Sequence, residues 1–410
     1  MAGFVVQKYG GSSLVDARAI KAVAGRIAAR RRTGDHVVAV VSAMGDHTDE
    51  LTALALEVND RPDRRELDVL LSTGELVSCT LTTMALNALG EPAKSLAGWQ
   101  AGIQTTSRFG RAQISGIDVS SIHRELGQGN IVIIAGFQGI APGQEITTLG
   151  RGGSDTTAVA VAAALGADRC EIYTDVDGIY TADPRFVPAA SKLEEIGFEE
   201  MLEMASHGAK MQPRAVELAM VYNVPTYVAS SFTDAPGTLI HEGADMTDEK
   251  HVGEVRKRVR GIVTDTGFAK ITILGVSDRP GLAARVFEPL SAADVSVDEI
   301  VMNAGQDAFT DFTFTVRDSD LERALEVVEP LTGEMRGRGT VSAGGLGKVS
   351  IVGTGMRDEP GYASRMFGAL AEHGINIELI TTSEIRITCI VAERHLGDAA
   401  RALHAVFELG

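Results

Sequence analysis

Two glycine-rich segments carry the residues that could bind phosphate. The first, Lys8-Tyr9-Gly10-Gly11-Ser12-Ser13, follows a short apolar run; the second, Thr147–Thr157, holds three glycines and Arg151 and leads into an alanine-rich stretch with Ser154 or Asp155 as the expected N-cap. Glycines let a ligand approach the backbone, and a helix N-terminus offers free N–H groups. Taken alone, the first segment fits an ordinary glycine turn equally well. The second favours ligand binding, because capping, worth ~1 kcal/mol, does not require three glycines and an arginine.

A third segment, Tyr173–Arg185, places acids, aromatics and an arginine after a predicted strand. It fits a solvated turn or an acidic cation-binding loop, but an EF-hand is excluded because the required twelfth-position glutamate is absent. Ser42 with Gly45 at another strand end, and Glu75 in a helical stretch, complete the candidate set. By itself, Glu75 is more often a surface helix residue than a ligand.

Short apolar runs alternate with helical stretches from Phe4 to about Gly243. The predicted strands are Phe4–Gln7, Val37–Ser42, Ile131–Ala135, Glu171–Thr174 and Thr226–Val228. The predicted helices are Ala17–Arg32, Arg65–Leu89, Thr156–Leu165, Phe198–Met204 and Pro213–Tyr222. This alternation predicts an α/β fold, with a mostly parallel sheet covered by helices on both faces. Ligands of such sheets bind beyond the carboxyl ends of the strands, where the glycine segments fall.

The C-terminal part of the chain repeats itself. Lys270–Gly275 matches Lys348–Gly353 at an offset of 78 residues, and Pro280-Gly281 matches Pro360-Gly361 at an offset of 80. The sequence of each copy predicts a strand, a turn, a helix, two strands and a second helix. Two such small α+β units must share a sheet to bury enough hydrophobic core. The predicted boundaries are 1–243 for the α/β domain, 244–263 for a linker and connecting strand, and 264–340 and 341–410 for the two copies.

Composition excludes several classes of protein. The 410 residues exceed what one core can fill, and 38 Lys and Arg against 55 Asp and Glu give a net charge of −17, which argues against nucleic-acid binding. The longest apolar run is far shorter than the ~20 residues of a membrane span. Three scattered cysteines suggest neither disulfides nor a zinc site. We therefore expect a cytoplasmic protein without membrane or nucleic-acid partners.

Taken jointly, these segments occur in the same order as in aspartate kinases of the amino acid kinase family. The motifs that carry the resemblance are Lys8-Tyr-Gly-Gly-Ser-Ser, Ser42-Ala-Met-Gly, Ser72-Thr-Gly-Glu75, Thr148–Thr157 and Thr174–Arg185. The repeat resembles the tandem ACT domains that bind amino-acid effectors in those enzymes, so the resemblance covers essentially the whole chain. Acetylglutamate and uridylate kinases share the fold but lack the ACT pair.

The resemblance implies ATP-dependent phosphorylation of the side-chain carboxylate of L-aspartate to 4-phospho-L-aspartate, the first step toward lysine, threonine and methionine. ATP and Mg²⁺ are the implied cofactors, with no metal site built from the protein alone. The acceptor carboxyl, with a pKa near ~3.9, is ionised at neutral pH, so no general base is needed. The reaction needs two anions held in line and their charge neutralised.

The resemblance also assigns residues. Catalytic roles fall to Lys8, Asp155 and Lys210. The implied ATP-binding residues are Lys8, Gly10, Gly11, Ser12, Thr174, Asp175, Tyr180, Asp183, Arg185 and Lys210. The implied substrate-binding residues are Ser42, His47, Thr48, Glu75, Arg151, Gly152, Gly153 and Ser154, with Glu75 on the substrate ammonium and Arg151 on its α-carboxylate. The implied effector-binding residues are Asp278, Gly281, Met302, Asn376, Ile377 and Ser383.

Three departures from the family pattern affect these expectations. His47 replaces a common threonine in the substrate loop, Ala229 replaces an arginine, and Met302 stands where a glutamine is frequent. Methionine cannot make the amide hydrogen bonds of glutamine, which predicts weakened feedback by threonine, lysine or both. The alternative is that Met302 only packs the interior and inhibition survives through other contacts.

Two other functions remain open on the sequence: a kinase for a different acidic acceptor, which His47 makes conceivable, and a catalytically silent amino-acid sensor on the same fold. The expected assembly is a homo-oligomer formed through the ACT domains. Met246 lies near the start of a separately translated regulatory subunit in some relatives, so an α2β2 assembly is the alternative.

Overall fold

The computed structural model describes residues 3–243, 259–302, 309–354, 356 and 360–410. Its contacts divide the chain into two compact units. The first comprises residues 3–179, 192–206 and 210–243; the second comprises 180–191, 207–209 and the described residues from 259 onward. Residues 244–258 of the predicted linker and connecting strand (244–263), with Met246, lie outside the described residues.

The first unit contains twelve strands and seven helices among its described residues. The strands are β1 Phe4–Tyr9, β2 His36–Val41, β3 Ala93–Leu96, β4 Ile103–Thr105, β5 Ile114–Ile117, β6 Ile131–Ala135, β7 Gln138–Ala141, β8 Glu145–Thr148, β9 Arg169–Thr174, β10 Glu195–Gly197, β11 Thr226–Ser230 and β12 Thr238–His241. The helices are α1 Ala17–Arg32, α2 His47–Val58, α3 Arg64–Ala88, α4 Ser120–Gly127, α5 Gly153–Leu165, α6 Phe198–Ser206 and α7 Pro213–Val221.

The main sheet of this unit has eight strands in the order β10-β12-β11-β9-β1-β2-β6-β3. From β11 to β3 every neighbouring pair is parallel, whereas β12 runs antiparallel to β11. The carboxyl ends of β11, β9, β1, β2 and β6 therefore meet at one edge. A smaller sheet has the order β5-β4-β7-β8. The predicted α/β architecture is confirmed.

Burial on both faces explains why the main strands were recognisable. β2 reads His-Val-Val-Ala-Val-Val with five buried residues, and β6 is buried throughout, as expected for parallel strands between helices. The core on one face joins Val37, Ile133 and Leu86 of α3 to residues of α1 such as Ile27. Elements missed from the sequence are short or exposed: α2 has no fully buried residue.

One helix of the described chain, α3, is long and apolar enough by composition to cross a membrane. Half of its most apolar window is buried inside the first unit, and it carries the buried carboxylates Asp68 and Glu75. These contacts are those of a core helix in a globular unit.

The second unit contains six strands and four helices among its described residues. The strands are β13 Gly261–Ser277, β14 Val297–Met302, β15 Phe309–Arg317, β16 Gly339–Val352, β17 Leu379–Thr382 and β18 Arg386–Ala392. The helices are α8 Leu282–Ala292, α9 Leu321–Glu334, α10 Tyr362–Glu372 and α11 Leu396–Val406. All six strands form one sheet in the order β14-β15-β13-β16-β18-β17.

The strand order reflects the repeat, because β13 and β16 are equivalent strands of the two copies and pair antiparallel at the centre. The predicted shared sheet is therefore present. The boundary at residue 264 falls inside β13: Ile262, together with Val259, packs into the core of the second copy beside Val349 and Ile351. A short apolar segment that precedes the first copy thus completes the hydrophobic core of the second copy. The offset between matching motifs in the sequence does not reveal this packing.

The core of the first copy gives a test of this packing. Phe314 is fully buried on β15 against Phe287 and Phe312, whereas Phe309 on the same strand is about half exposed. Phe314→Ala should lower the free energy of unfolding by about 3–5 kcal/mol, because it removes a large core side chain. Phe309→Ala, the matched control, should change it by less than about 1 kcal/mol. Urea unfolding measures both, and equal effects would contradict this core.

Candidate active site

The first glycine segment lies at the edge where parallel strands end. The N–H of Gly10 donates to the carbonyl of Tyr173 at the end of β9 (3.2 Å), and the N–H of Gly45 donates to the carbonyl of Gly11 (3.0 Å). A Cβ at Gly11 would come within 3.0 Å of the Ala43 carbonyl oxygen, so only glycine fits between these strands. The loop then enters a short 3-10 helix, Gly11–Leu14. Segments far apart in sequence therefore meet here.

Lys8 and Asp155 form an ion pair beside this loop. The distance from Nζ of Lys8 to Oδ1 of Asp155 is 2.6 Å, and both side chains are largely buried. Lys8 Nζ also lies 3.3 Å from where a Cβ of Gly10 would stand, so the ammonium sits against the backbone of the loop. The pair joins β1 to the first turn of α5 and holds one positive charge beside the glycine loop.

The expected N-cap of α5 is wrong. Gly152, with φ of 68°, occupies that position, and Ser154 and Asp155 lie one and two residues inside the helix that begins at Gly153. A left-handed residue at the cap favours glycine, and the Asp155 carboxylate is directed to Lys8 instead of the backbone. The helix start is therefore shaped by glycine geometry rather than by a capping side chain.

Glu75 is buried, in contrast to the surface position usual for a helical glutamate. Only 3% of the residue is exposed, and its Oε1 accepts a hydrogen bond from the N–H of Ala43 (3.2 Å). Oε2 has no hydrogen-bond partner among the described residues. Burial raises the pKa of Glu75 to about 7, against the smaller lowering by backbone hydrogen bonds. An acid of this kind is suited to a cationic ligand.

Ser42, His47 and Thr48 follow β2 on the same loop as Ala43. The N–H of Ser42 donates to the carbonyl of Tyr9 (3.1 Å), and the Ser42 carbonyl accepts from the Ser78 hydroxyl (2.6 Å). His47 begins α2 and is partly buried, as is Thr48. The loop is thus fixed between β1 and α3, next to Glu75.

Arg151 lies in a loop bounded by two left-handed glycines, Gly150 with φ of 78° and Gly152. Its side chain is exposed, while its carbonyl accepts a hydrogen bond from the Gln212 side chain (2.5 Å). The carbonyl of Leu149, two residues earlier, accepts from Arg214 (2.8 Å). The backbone of this loop is therefore held in place while the guanidinium stays accessible.

The segment after β9 divides between the two units. Thr174 and Asp175 belong to the first, where Asp175 pairs with Lys210 at 3.0 Å. Burial alone would raise the pKa of Asp175, but the hydrogen bond and charge of Lys210 lower it below the ordinary value. Tyr180, Asp183 and Arg185 fall in the second unit, where Arg185 pairs with Asp183 at 2.6 Å.

Sequence reasoning missed the polar residues that brace the site. Glu171, buried on β9, accepts hydrogen bonds from Gln7 (2.8 Å), the Tyr173 hydroxyl (3.1 Å) and Arg169 (2.7 Å). The rings of Tyr9 and Tyr173 stack with centroids 5.1 Å apart. These contacts lock β1 to β9 directly before the glycine loop. The only sequence signal was polar residues inside otherwise apolar strands.

A hydroxyl pair makes a further connection at this edge. The Ser13 hydroxyl donates to the hydroxyl of Ser231 (2.7 Å), which in turn donates to the carbonyl of Thr174 (3.2 Å). The glycine segment is thereby linked to the ends of both β9 and β11. Ser231 belongs to the segment in which Ala229 departs from the family pattern, and Ala229 itself is buried.

The predicted effector residues lie on the second unit. Gly281, with φ of 92°, is the N-cap of α8, and Asp278 precedes it. Asn376 donates to Glu378 (3.0 Å), which pairs with Lys270 (2.7 Å). The predicted residues Ile377 and Ser383 flank β17: Ile377 packs against the core of the second copy, and the N–H of Ser383 donates to the Arg386 carbonyl (2.9 Å).

Met302 ends β14 and is 49% exposed, so the interpretation that it only packs the interior is wrong for this chain. The side chain of Met302 itself carries no amide group. Its neighbour Asn303 lies outside the described residues.

Comparison with known protein families agrees with this architecture. The amino acid kinase family model matches residues 3–230, which is more than half of the chain. Two ACT domain models match residues 270–333 and 349–407, one in each copy of the repeat.

Individual relatives match over nearly the whole chain. The aspartokinase of Corynebacterium glutamicum is 49% identical over 99% of this chain and 96% of its own length, and that of Pseudomonas aeruginosa is 49% identical over 99% and 97%. The crystal structure of Escherichia coli aspartokinase III in complex with aspartate and ADP has a TM-score of 0.78 at 26% identity, covering 98% of this chain and 99% of that one. The chain therefore belongs to the amino acid kinase family, as an aspartokinase with a C-terminal pair of ACT domains.

Proposed function

We propose that this aspartate kinase transfers the γ-phosphoryl group of ATP to the side-chain carboxylate of L-aspartate at the edge formed by β1, β2, β6 and β9. The observation that carries the proposal is the Lys8–Asp155 ion pair against the Gly10-Gly11 loop, on the same edge as the buried acid Glu75. The relative solved with aspartate and ADP supports the same pair of ligands.

In the proposed reaction, a carboxylate oxygen of aspartate attacks the γ-phosphorus and the bond to the β–γ bridging oxygen breaks, so ADP leaves and 4-phospho-L-aspartate forms. No proton needs to move, because the acceptor is already ionised near neutral pH. The task of the chain is to hold two anions together and neutralise them. Lys8 supplies one charge, and Lys210, about half exposed beside Asp175, supplies another.

Backbone amides of the first glycine segment would bind the phosphates. The Gly10 N–H is already engaged by Tyr173, so the amides assigned to this role are those of Gly11 and Ser12 at the start of the 3-10 helix, where N–H groups lack intrahelical partners. Thr174 and Asp175 are proposed to take part in the nucleotide site, and the nucleotide-binding roles of Tyr180, Asp183 and Arg185 stay predictions.

Magnesium is the proposed companion of ATP. The described residues contain no cluster of three or more candidate metal ligands. This fits an ion held mainly by phosphates and waters with one or two carboxylates. Asp155, beside Lys8, is the carboxylate that would hold it. When bound, the ion would supply positive charge to the transferring phosphoryl group.

Two opposite charges would recognise the amino-acid part of the substrate. Glu75 offers a free carboxylate oxygen in a buried setting, which suits the substrate ammonium. Arg151, on its fixed loop, would bind the α-carboxylate in a bidentate fork. Ser42, His47 and Thr48, together with Gly152, Gly153 and Ser154, are proposed to line the same site.

The two alternatives make different demands on this site. A silent sensor would not need an ion-paired lysine against a phosphate-type loop, and a kinase for a longer acid would need space beyond His47. An assay of ADP release and hydroxamate formation with aspartate, glutamate and acetylglutamate separates them. Hydroxamate with aspartate alone supports the proposal, and none with any acid supports the sensor.

The location and assembly belong to the same proposal. The cysteines Cys79, Cys170 and Cys389 are free and buried, which fits a reducing cytoplasm. We infer a homo-oligomer formed through the ACT domains, with α2β2 as the alternative if translation also starts at Met246.

Lys8→Ala should lower kcat by roughly two to three orders of magnitude, since it removes a charge aimed at the transferring phosphoryl. The readout is ADP release with aspartate, accompanied by circular dichroism to verify the fold. Lys21→Ala, on the exposed face of α1, is the matched control and should keep full activity. A near-normal kcat in Lys8→Ala would remove this lysine from catalysis.

The activity should depend on pH through Glu75. Because burial favours its neutral form and raises the pKa to about 7, the carboxylate needed for the substrate ammonium forms only as pH rises through that value. kcat/KM for aspartate should therefore increase from pH 6 to 8 with an apparent pKa near 7. Glu75→Gln should abolish this pH-dependent rise of kcat/KM and raise KM for aspartate. Glu50→Gln, at an exposed position on α2, is the control and should retain the rise. A wild-type profile that is flat through pH 7 would contradict this role.

Feedback should be weak. Threonine and lysine, separately or together at millimolar concentration, should inhibit the wild-type enzyme little, because Met302 offers no amide to an effector. Met302→Gln should increase inhibition, and Met84→Gln, an exposed methionine of α3, should not. Strong concerted inhibition of the wild type would refute the prediction.

A further inference from the structure

Asp68 is a buried acid that the reaction outlined above does not use. It lies on α3 with 1% of the residue exposed. Both carboxylate oxygens accept from the Gly110 N–H (3.0 and 2.9 Å), Oδ2 accepts from the Thr148 N–H (2.9 Å), and Oδ1 accepts from the Thr148 hydroxyl (2.7 Å). A carboxylate held inside a protein by neutral donors is costly unless all its bonds are made.

These hydrogen bonds end at the substrate loop. Thr148 is the last residue of β8, and Arg151 follows three residues later between two left-handed glycines. Gly110 belongs to a second loop that packs on the first: a Cβ at Gly150 would come within 3.1 Å of the Gly110 carbonyl oxygen. Asp68 therefore fixes the end of β8, where the Arg151 loop begins, and also the Gly110 segment that packs on this loop.

Arg214 also holds these two loops in place. Its guanidinium donates to the carbonyl of Leu149 (2.8 Å) and to that of Ala112 (3.1 Å). Ala112 in turn donates to the carbonyl of Thr148 (2.9 Å). The two loops are thus tied to each other and to α3.

The same face of α3 carries Glu75. Seven residues along a helix amount to nearly two full turns, so Asp68 and Glu75 point the same way and lie about 10 Å apart along the axis. Between them Ser72 accepts a hydrogen bond from the Gln138 side chain (2.8 Å). One rigid helix thus bears the acid proposed for the ammonium and the acid that positions the loop of Arg151.

We propose that Asp68 is a positioning residue that sets the spacing between Glu75 and the Arg151 loop, and thereby the selectivity for a substrate carrying both an ammonium and an α-carboxylate. The inference rests on the proposed function. The spacing would favour α-amino dicarboxylic acids over dicarboxylic acids that lack the amino group.

Asp68→Asn tests this role, because one acceptor oxygen becomes an NH₂ group facing backbone N–H donors. We expect KM for aspartate to rise about tenfold or more while KM for ATP changes less than twofold. Inhibition by succinate, which cannot engage both charges, should change less than twofold, so discrimination between aspartate and succinate should fall. Glu125→Gln, which alters another buried acid on α4, is the matched control and should change none of these values.

Thr148→Val and Thr148→Ser supply a second, milder test. Valine removes the hydroxyl that donates to Asp68 and should raise KM for aspartate, whereas serine keeps the hydroxyl and should restore it. Equal loss of aspartate, succinate and ATP binding in Asp68→Asn, or a normal KM in a folded Asp68→Asn, would overturn the positioning role. Absence of aspartate-dependent ADP release in the wild type would instead overturn the proposed function.

Discussion

The row of buried polar side chains on one face of α3 is the constraint on which the site depends. Asp68, Ser72, Glu75 and Ser78 all fall within one sector of the helix. Asp68 accepts from Thr148 at the end of β8, the Ser72 carbonyl accepts from Gln138 of β7, and Glu75 and Ser78 both bind the loop after β2. Polar groups in a buried position must be satisfied, so the loops cannot shift independently without leaving a donor or acceptor unpaired. The helix therefore converts local loop geometry into one rigid arrangement.

This constraint also explains how an acidic protein can bind two anions. A net charge of −17 repels ATP and aspartate at long range, but such repulsion is screened over about 8 Å in physiological salt. Within the site, Lys8 is held by Asp155 against the glycine loop and is largely shielded from water. A buried cation acts in a lower dielectric than a surface one, so local placement outweighs the global charge.

Much of the fold could be predicted from the sequence, because burial leaves a readable pattern. Ala17–Arg32 and Ile131–Ala135 were predicted with the bounds that the structure gives. The predicted site residues at strand ends, such as Lys8 and Ser42, meet as parallel topology requires. The bracing by Asp68 was not predictable, since its hydrogen-bond partners lie 42 and 80 residues away and such long-range pairing leaves no local signal.

The ACT pair shows why a repeat in sequence need not give two separate domains. Lys348 pairs with Asp298 and Glu299 of the first copy, and its repeat mate Lys270 pairs with Glu378 of the second. Each lysine thus reaches an acid of the other copy, which ties β16 to the edge strand β14 and β13 to the residue just before the edge strand β17. The ion pairs of the two lysines differ in environment, because the Lys348 side chain is 2% exposed and that of Lys270 is 21% exposed. A buried charge costs more free energy when it is left unpaired, so breaking the Lys348 ion pairs should destabilise the shared sheet more than breaking the Lys270 ion pair.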